Sequence, residues 1–192
     1  MKKMIAIVLC LMLALSMAGA ANAEATAELT AAMFETPILM TSVGQSADVN
    51  IVNTLFTKAG VSDVRMNPTV TADDLGDAKT LVLAIGGSSK GLGAAGIDEN
   101  QEMERVTALI SAAKEAGVKV LSLHIGGQAR RGALSDLFIP DAIAASDAAI
   151  VKADGDTDNM MRDILLANTT PALFVAGQID VVDPIKLVFG VE

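Results

Sequence analysis

The chain has very little cysteine and histidine and no large polar aromatic side chains. Cys10 and His124 are the single residues of their kinds, and tryptophan and tyrosine are absent. Because Cys10 lies in an N-terminal apolar run, the rest of the chain has no means of forming disulfides, zinc–thiolate sites or a thiol nucleophile. One histidine also excludes a histidine-rich metal site. We therefore expect a domain that is stabilised by its apolar core.

Basic residues are few as well. The chain has 14 Lys and Arg against 23 Asp and Glu, and two of the basic residues are Lys2 and Lys3. Without residues 1–23, 12 basic residues face 23 acidic ones, a net charge of −11. This balance argues against nucleic acid and anionic membranes, which both reward basic patches. We expect a soluble protein that does not bind nucleic acid.

The N-terminus has the pattern of a cleaved secretory signal peptide. A basic pair precedes an apolar run over residues 4–18, and Ala21-Asn22-Ala23 provides the small-x-small pattern that signal peptidase cuts. The run is shorter than the ~20 apolar residues that a membrane-spanning helix needs. We expect cleavage before Glu24, export to the periplasm or beyond, and no membrane contact after cleavage.

The remaining chain alternates short apolar runs with helical patterns. Residues 24–36 are rich in Ala, Glu and Thr, which predicts a flexible lead-in, and residues 37–192 form a single α/β domain. The alternation predicts a doubly wound, mostly parallel sheet of five to seven strands, a flavodoxin-like or Rossmann-like three-layer sandwich. Predicted strands are Ile38–Thr41, Val64–Met66, Thr80–Ile85, Val118–Leu123, Ala148–Val151 and Ala172–Val175, with an optional seventh at Ile185–Phe189.

Three helices are predicted between the strands. They are Asp48–Ala59, Glu99–Ala116 and Asn159–Ala167, and each ends beside Gly or Asn. The pattern between residues 134 and 146 is weaker, because Pro140 interrupts it and is expected to start a new turn.

Three loops that follow predicted strands are rich in glycine and hydrogen-bonding side chains. Ligands of open α/β sheets bind at the carboxyl ends of the strands, where the strand order reverses. A 2-1-3-4-5 order makes the first, third and fourth strands neighbours, so these loops would converge on one edge. Glycine lets backbone N–H groups approach an anion, and Lys and Arg supply positive charge. We therefore predict a site for a small anionic solute, a carboxylate or a phosphate-bearing molecule.

The predicted ligand-binding residues come from all three loops. The first loop contributes Ser42, Gly44, Gln45 and Ser46, the second Gly86, Gly87, Ser88, Ser89, Lys90 and Gly91, and the third His124, Gly126, Gly127, Arg130 and Arg131.

Two other functions fit the same loops. His124 ends an apolar strand, so a hydrolase or transferase could use it as acid or base beside Ser42, Ser46, Ser88 or Ser89. No Gly-x-Ser-x-Gly elbow supports that alternative. In the other alternative the domain is a protein-interaction module of an envelope or transporter complex, and the loops are structural.

No cofactor and no metal are expected. The turn over 87–93 looks like the glycine turn of short-chain dehydrogenases, but it follows the third strand and the chain lacks their catalytic tyrosine. The turn over 42–46 resembles the phosphate loop of flavodoxins, yet the chain has no Trp or Tyr to stack on a flavin. Residues 154–158 alternate carboxylates as calcium loops do, but Leu165 replaces the bidentate glutamate.

The three loops also carry a family resemblance. Residues 39–46 (LMTSVGQS), 86–98 (GGSSKGLGAAGID) and 124–136 (HIGGQARRGALSD) resemble an uncharacterised family of exported bacterial proteins classed as a domain of unknown function. The likeness covers most of the chain that follows the leader. It implies a shared site at these loops and names no ligand, activity or catalytic residue.

Overall fold

The computed structural model describes residues 26–192, so the predicted signal peptide and residues 24 and 25 lie outside the described residues. Within residues 26–192, no helix has the length and apolar character needed to cross a membrane. The strands are β1 (Ile38–Val43), β2 (Val64–Met66), β3 (Thr80–Ile85), β4 (Lys119–His124), β5 (Ala148–Lys152) and β6 (Ala172–Val175). The helices are α1 (Asp48–Lys58), α2 (Ser89–Ala95), α3 (Glu99–Glu115), α4 (Ala133–Ala144), α5 (Met160–Ala167) and α6 (Val182–Phe189).

The six strands form one parallel sheet in the order β2-β1-β3-β4-β5-β6. Met40 of β1 is paired with Met66 of β2 on one side and with Val82 of β3 on the other. The strand order therefore reverses at β1, which lies between β2 and β3. This confirms the doubly wound α/β class and places the crevice of such folds beside β1 and β3.

Both faces of the sheet are covered by helices. On one face Leu83 of β3 belongs to the same buried cluster as Leu109 of α3, and α4 and α5 complete that layer. On the other face Val82 clusters with Phe56 of α1 and Ile185 of α6. Neighbouring residues of β3 thus face opposite cores, which is why the strand is a continuous apolar run.

The predicted strands are confirmed, with ends that differ by at most two residues, and the predicted helices differ by one residue. The optional seventh strand at Ile185–Phe189 is wrong, because these residues belong to α6. Ile185 and Val188 are buried three positions apart, whereas Leu187 is 42% exposed. A spacing of three with an exposed residue between is a helical pattern, and on a short run it is easily read as a strand.

The expected break at Pro140 is also wrong. Helix α4 continues through Pro140. Proline removes the N–H that would bond to the carbonyl of Asp136. The helix nevertheless continues, because Phe138, Ile139, Ala142 and Ile143 are all buried on the sheet.

Residues 26–36 cross the amino-terminal edge of the sheet. Their first backbone contact is at β6, where Ala172 N–H donates to Ala27 O at 2.9 Å. Farther along, Ala32 N–H bonds to Leu187 O and Phe34 N–H to Val188 O, both in α6. Phe34 is itself buried. This part of the predicted lead-in therefore packs on the domain; its flexibility stays a prediction.

Candidate functional site

The loops after β1 and β3 are joined to each other at the carboxyl edge of the sheet. Gln45 and Gly87 form an isolated antiparallel bridge, and Ser88 N–H donates to Gly44 O at 2.8 Å. Gly87 N–H in turn donates to Ser135 Oγ of α4 at 2.9 Å. The first two predicted loops thus form one continuous surface at the point of strand reversal.

Two glycines make this junction possible. Gly44 has φ +93°, and a Cβ atom there would lie 2.8 Å from Gly86 O and 2.8 Å from Phe138 Cδ2. At Gly91 of α2 a Cβ would lie 1.8 Å from Gln45 O, so the helix rests directly on the backbone of the first loop. Any larger residue at either position would force the loops apart.

A cleft of about 500 Å³ opens beside this junction. It lies between α1, α2 and the loop after β2. Its lining residues are Gln45, Ser46, Ala47, Val49, Asn50, Pro68, Thr69, Ser88, Lys90, Gly91, Ala94 and Ala95.

The cleft contains hydrogen-bond donors that have no acceptor among residues 26–192. Ser46 Oγ accepts the N–H of Asp48 at 3.0 Å, and Ser88 Oγ accepts the N–H of Gly91 at 3.0 Å. Neither hydroxyl donates to a described residue, so both O–H protons are unused. Lys90 is exposed and forms no ion pair within the described part of the chain. Ser88 is half-buried and Lys90 exposed, so both can meet a bound acceptor, whereas Ser46 is only 2% exposed.

A buried ion pair lies beneath the cleft. Glu102 of α3 is fully buried and accepts two hydrogen bonds of 2.8 Å from Arg105, a bidentate arrangement. The same carboxylate accepts the N–H of Gly44 at 2.8 Å and both its oxygens accept Gln45 Nε2 at 3.1 Å. Glu102 thereby holds the loop after β1.

Arg105 extends this network to a second loop. Its guanidinium donates to Ser42 O at 2.6 Å and to Val70 O. Gln45 Nε2 also donates to Pro68 O at 3.0 Å. The loops after β1 and β2, which form two walls of the cleft, are therefore fixed by the same pair of charges.

The third predicted loop meets the first on the other side of Asp48. Arg130 Nε donates to Asp48 Oδ1 at 3.2 Å, and the Arg130 side chain is 34% exposed. Asp48 Oδ2 is buried without a hydrogen-bond partner in the described residues. Gly126 allows this contact, since a Cβ there would lie 2.0 Å from Arg130 Cγ and 2.7 Å from Asp48 Oδ2. Arg130 thus neutralises Asp48 and does not line the cleft.

Arg131 lies away from the cleft and contacts the segment between β5 and α5. Its side chain, 8% exposed, bonds to Asp136 at 2.7 Å, to Asp158 at 2.7 Å and to Gly155 O. These hydrogen bonds raise the pKa of Arg131, and they lower the pKa of Asp158 to about 2. Arg131 therefore ties α4 to the segment between β5 and α5.

His124 is buried at the end of β4. Its Nδ1 lies 3.3 Å from Ile85 O, and its Nε2 has no partner among residues 26–192. Burial lowers the pKa of His124, so the ring is neutral at pH 7. Gly155 covers Nε2, since a Cβ there would lie 2.8 Å from that atom.

No described hydrogen bond joins His124 to a serine. Ser42 Oγ donates to Ser46 O at 3.2 Å, Ser46 and Ser88 accept backbone N–H groups, and Ser89 is exposed. Within residues 26–192, no group of three or more His, Cys, Asp or Glu side chains is placed to hold a metal ion.

The structure therefore divides the predicted site. Gln45, Ser46, Ser88, Lys90 and Gly91 line the cleft. Ser42, Gly44, Gly86 and Gly87 do not line the cleft, and Ser89 is exposed at the start of α2. His124 ends β4, and Gly126, Gly127, Arg130 and Arg131 lie between β4 and α4.

Sequence reasoning missed Asp48, Glu102 and Arg105. The signal for the pair was available, because Glu and Arg three apart on a helix share one face. That signal is common on solvated helices and does not tell a buried pair from an exposed one.

The fold and its cleft define a doubly wound α/β domain with a donor-rich site at the strand reversal. A family model described as Domain of unknown function (DUF6305) matches residues 35–189, and the chain belongs to this family. No curated protein matches the chain.

Proposed function

We propose that the protein is an exported domain that binds a small anionic solute in the cleft between α1, α2 and the loop after β2. The observation that carries the proposal is the set of unused donors: the Lys90 ammonium and the hydroxyls of Ser46 and Ser88. A ligand that offers only acceptors, such as a carboxylate or phosphate, suits donors of this kind, of which Lys90 and Ser88 are open to solvent.

The charge of the lining supports the same ligand. The chain carries a net charge of −9, yet no Asp or Glu lines this cleft. Four other cavities of the described residues each include a carboxylate: Glu35, Asp147, Asp141 and Asp74. Three of those cavities also contain Lys or Arg, so what distinguishes this cleft is a cation with no carboxylate beside it, an arrangement that attracts an anion.

The ion pair beneath the cleft would reduce the entropic cost of binding, because it holds the surrounding loops. Because Glu102 and Arg105 fix the loops after β1 and β2, two walls of the cleft are held in place before a ligand arrives, which lowers the entropy lost on binding. Glu102 does not repel an anion at close range, since Arg105 neutralises it.

The proposed location rests on the N-terminal sequence. The basic pair, the apolar run and Ala21-Asn22-Ala23 are typical of a chain exported to the periplasm or beyond. There the domain would bind a solute that occurs outside the cytoplasm.

The test is calorimetric titration of the purified protein with acetate and with inorganic phosphate at constant ionic strength. We expect binding of at least one of these anions and at least about tenfold weaker binding to Lys90→Met, because a charged hydrogen bond contributes roughly 1.5–3 kcal/mol. The matched control is Lys79→Met. Lys79 is also exposed and without an ion pair in residues 26–192, but it precedes β3 at the opposite edge.

Two results would contradict the proposal. One is that neither anion binds the wild-type protein. The other is that Lys90→Met and Lys79→Met bind equally well, which would place the anion elsewhere.

A further inference from the structure

Two buried side-chain atoms of residues 26–192 have no hydrogen-bond partner, and both lie at the carboxyl edge of the sheet. They are Oδ2 of Asp48 and Nε2 of His124, whose residues are 4% and 0% exposed. Because the carbonyl of Ile85 can only accept, Nδ1 carries the proton of the neutral ring, and Nε2 is an acceptor like the carboxylate oxygen. A buried polar atom without a partner is costly, so this pair of acceptors lacks a donor.

The loop between β4 and α4 lies against both atoms. A Cβ atom at Gly126 would lie 2.7 Å from Asp48 Oδ2. A Cβ atom at Gly155, which follows β5, would lie 2.8 Å from His124 Nε2 and 3.0 Å from Gly127 Cα. Since Gly126 and Gly127 are consecutive, the two acceptors occupy neighbouring positions against one turn of backbone.

The two arginines of this loop are held to different degrees. Arg130 has a single ion-pair contact, 3.2 Å between its Nε and Asp48 Oδ1, and its side chain is 34% exposed. Arg131 contacts two carboxylates at 2.7 Å each, and its side chain is 8% exposed. The contact of Arg130 with Asp48 is therefore the one that breaks more easily.

Asp48 is the carboxylate that responds to the charge of His124. Burial has the largest effect on the pKa of His124 and lowers it; of the nearby charges, Arg131 lowers this pKa and Asp48 raises it. The other carboxylates around the loop have partners of their own, in the pairs Lys152–Asp154, Arg131–Asp136 and Arg131–Asp158 and in the hydrogen bonds from the N–H groups of Met161 and Arg162 to Asp156.

We propose that this loop is a proton-sensitive switch, in which protonation of His124 in mild acid displaces Arg130 from Asp48. Protonation turns Nε2 from an acceptor into a donor and adds a buried positive charge next to a carboxylate that Arg130 already neutralises. Asp48 then has one cation too many. Arg130 is the partner with a single contact and access to water, so its guanidinium moves into solvent and the loop opens. This switch is separate from the cleft and does not depend on anion binding.

The experiment is an NMR titration of the purified protein between pH 8 and pH 4. It follows the ring protons of His124 and the Nε–H signals of Arg130 and Arg131. The Arg130 signal should shift with the same midpoint as the His124 ring. Arg131 is the internal control, and its signal should keep its position because two carboxylates hold it.

Two variants separate the members of the switch. In His124→Gln the Arg130 signal should no longer shift over this range. Asp48→Asn should lower the midpoint of His124, because it removes the carboxylate that stabilises the protonated ring. The matched control is Asp141→Asn, since Asp141 is an exposed carboxylate of α4 without an ion pair in residues 26–192, and the midpoint should not change.

Three results with the wild-type protein would overturn the proposal. The first is an Arg130 signal that stays in place while His124 titrates, and the second is a His124 ring that does not titrate above pH 4. The third is a loss of dispersion of all backbone amide signals at the His124 midpoint, which would mean that the domain unfolds as a whole. None of these results depends on the folding of a variant.

Discussion

Glu102 and Arg105 form a bidentate pair with 2.8 Å contacts inside the protein, one turn apart on α3. Their side chains are 0% and 10% exposed. Between them they hold Gly44, Gln45 and the carbonyls of Ser42 and Val70. A buried charge pair is costly to desolvate, so its value here lies in fixing loops that glycine and left-handed backbone would otherwise leave free.

Removing one charge of this pair should strongly destabilise the protein. We expect Glu102→Gln to lower the free energy of unfolding by about 3 kcal/mol, because Arg105 would be left with an unbalanced buried charge. Urea unfolding measures the change. Glu104→Gln serves as control, since Glu104 is an exposed glutamate on the same helix, and it should stay within about 0.5 kcal/mol of wild type.

The double variant Glu102→Gln with Arg105→Met tests the pairing itself. Its loss of stability should be smaller than the sum of the single losses, by about 0.5–3 kcal/mol. Additive losses would contradict a direct interaction.

Two glycines of α2 should respond to alanine in opposite directions. Nothing lies within 4 Å of a Cβ built at Gly93, so Gly93→Ala should raise the free energy of unfolding by up to about 1 kcal/mol. At Gly91 the new Cβ would lie 1.8 Å from Gln45 O, so Gly91→Ala should lower it by about 1–3 kcal/mol.

Thermal and urea unfolding of the two glycine variants give the sign directly. Equal effects would mean that α2 does not rest on the first loop. Gly91→Ala should also weaken anion binding, because it displaces the start of α2, which carries Lys90, from the first loop.

His124 should make stability fall in mild acid. Burial lowers its pKa below 6.5, so between that value and the lower folded pKa the unfolded chain binds more protons than the folded one. The contribution is therefore complete above pH 6.5 and is lost as the pH falls through the lower folded pKa. His124→Gln should lack this part of the pH dependence in urea unfolding between pH 8 and 5.

Proton NMR checks the same group without a variant. His124 is the single histidine of the chain, so its ring protons give one unambiguous titration. A midpoint at or above 6.5 in the folded protein would be incompatible with a desolvated ring.

The strands could be predicted because each is a short apolar run in the sequence, whereas the strand order entered the prediction only as the condition under which the loops converge. β3 and β4 are continuous apolar runs, and the helices between strands end at Gly or Asn. Helices α2, α4 and α6 have weaker helical patterns in the sequence. α2 buries only Leu92, α4 contains Pro140, and the buried residues of α6 lie within a short apolar run. These three helices are stabilised mainly by packing against the sheet, and this packing depends on residues that are distant in the sequence.

The sequence predicts which edge of the sheet carries the candidate site, but it does not predict which charged side chains pair with each other there. The loops after β1 and β3 converge because parallel strands end together. Whether a basic side chain of these loops forms an ion pair depends on other segments of the chain. Arg131 pairs with Asp158 from the segment after β5, and Arg130 pairs with Asp48 at the start of α1. Lys90 differs from both arginines because it forms no ion pair with any carboxylate of residues 26–192. Such pairings follow from three-dimensional placement, which spacing along the chain does not encode.

Residues 26 and 27 contact β6, a strand that is synthesised much later than they are. Thr26 Oγ1 donates to Ala172 O at 3.0 Å across 146 positions, and Ala172 N–H donates back to Ala27 O. A polypeptide emerges with its N-terminus first, so the strand that receives residues 26 and 27 is among the last to arrive. Contacts of such long range form late in folding. One edge of the sheet therefore stays unfinished until nearly the whole chain is available.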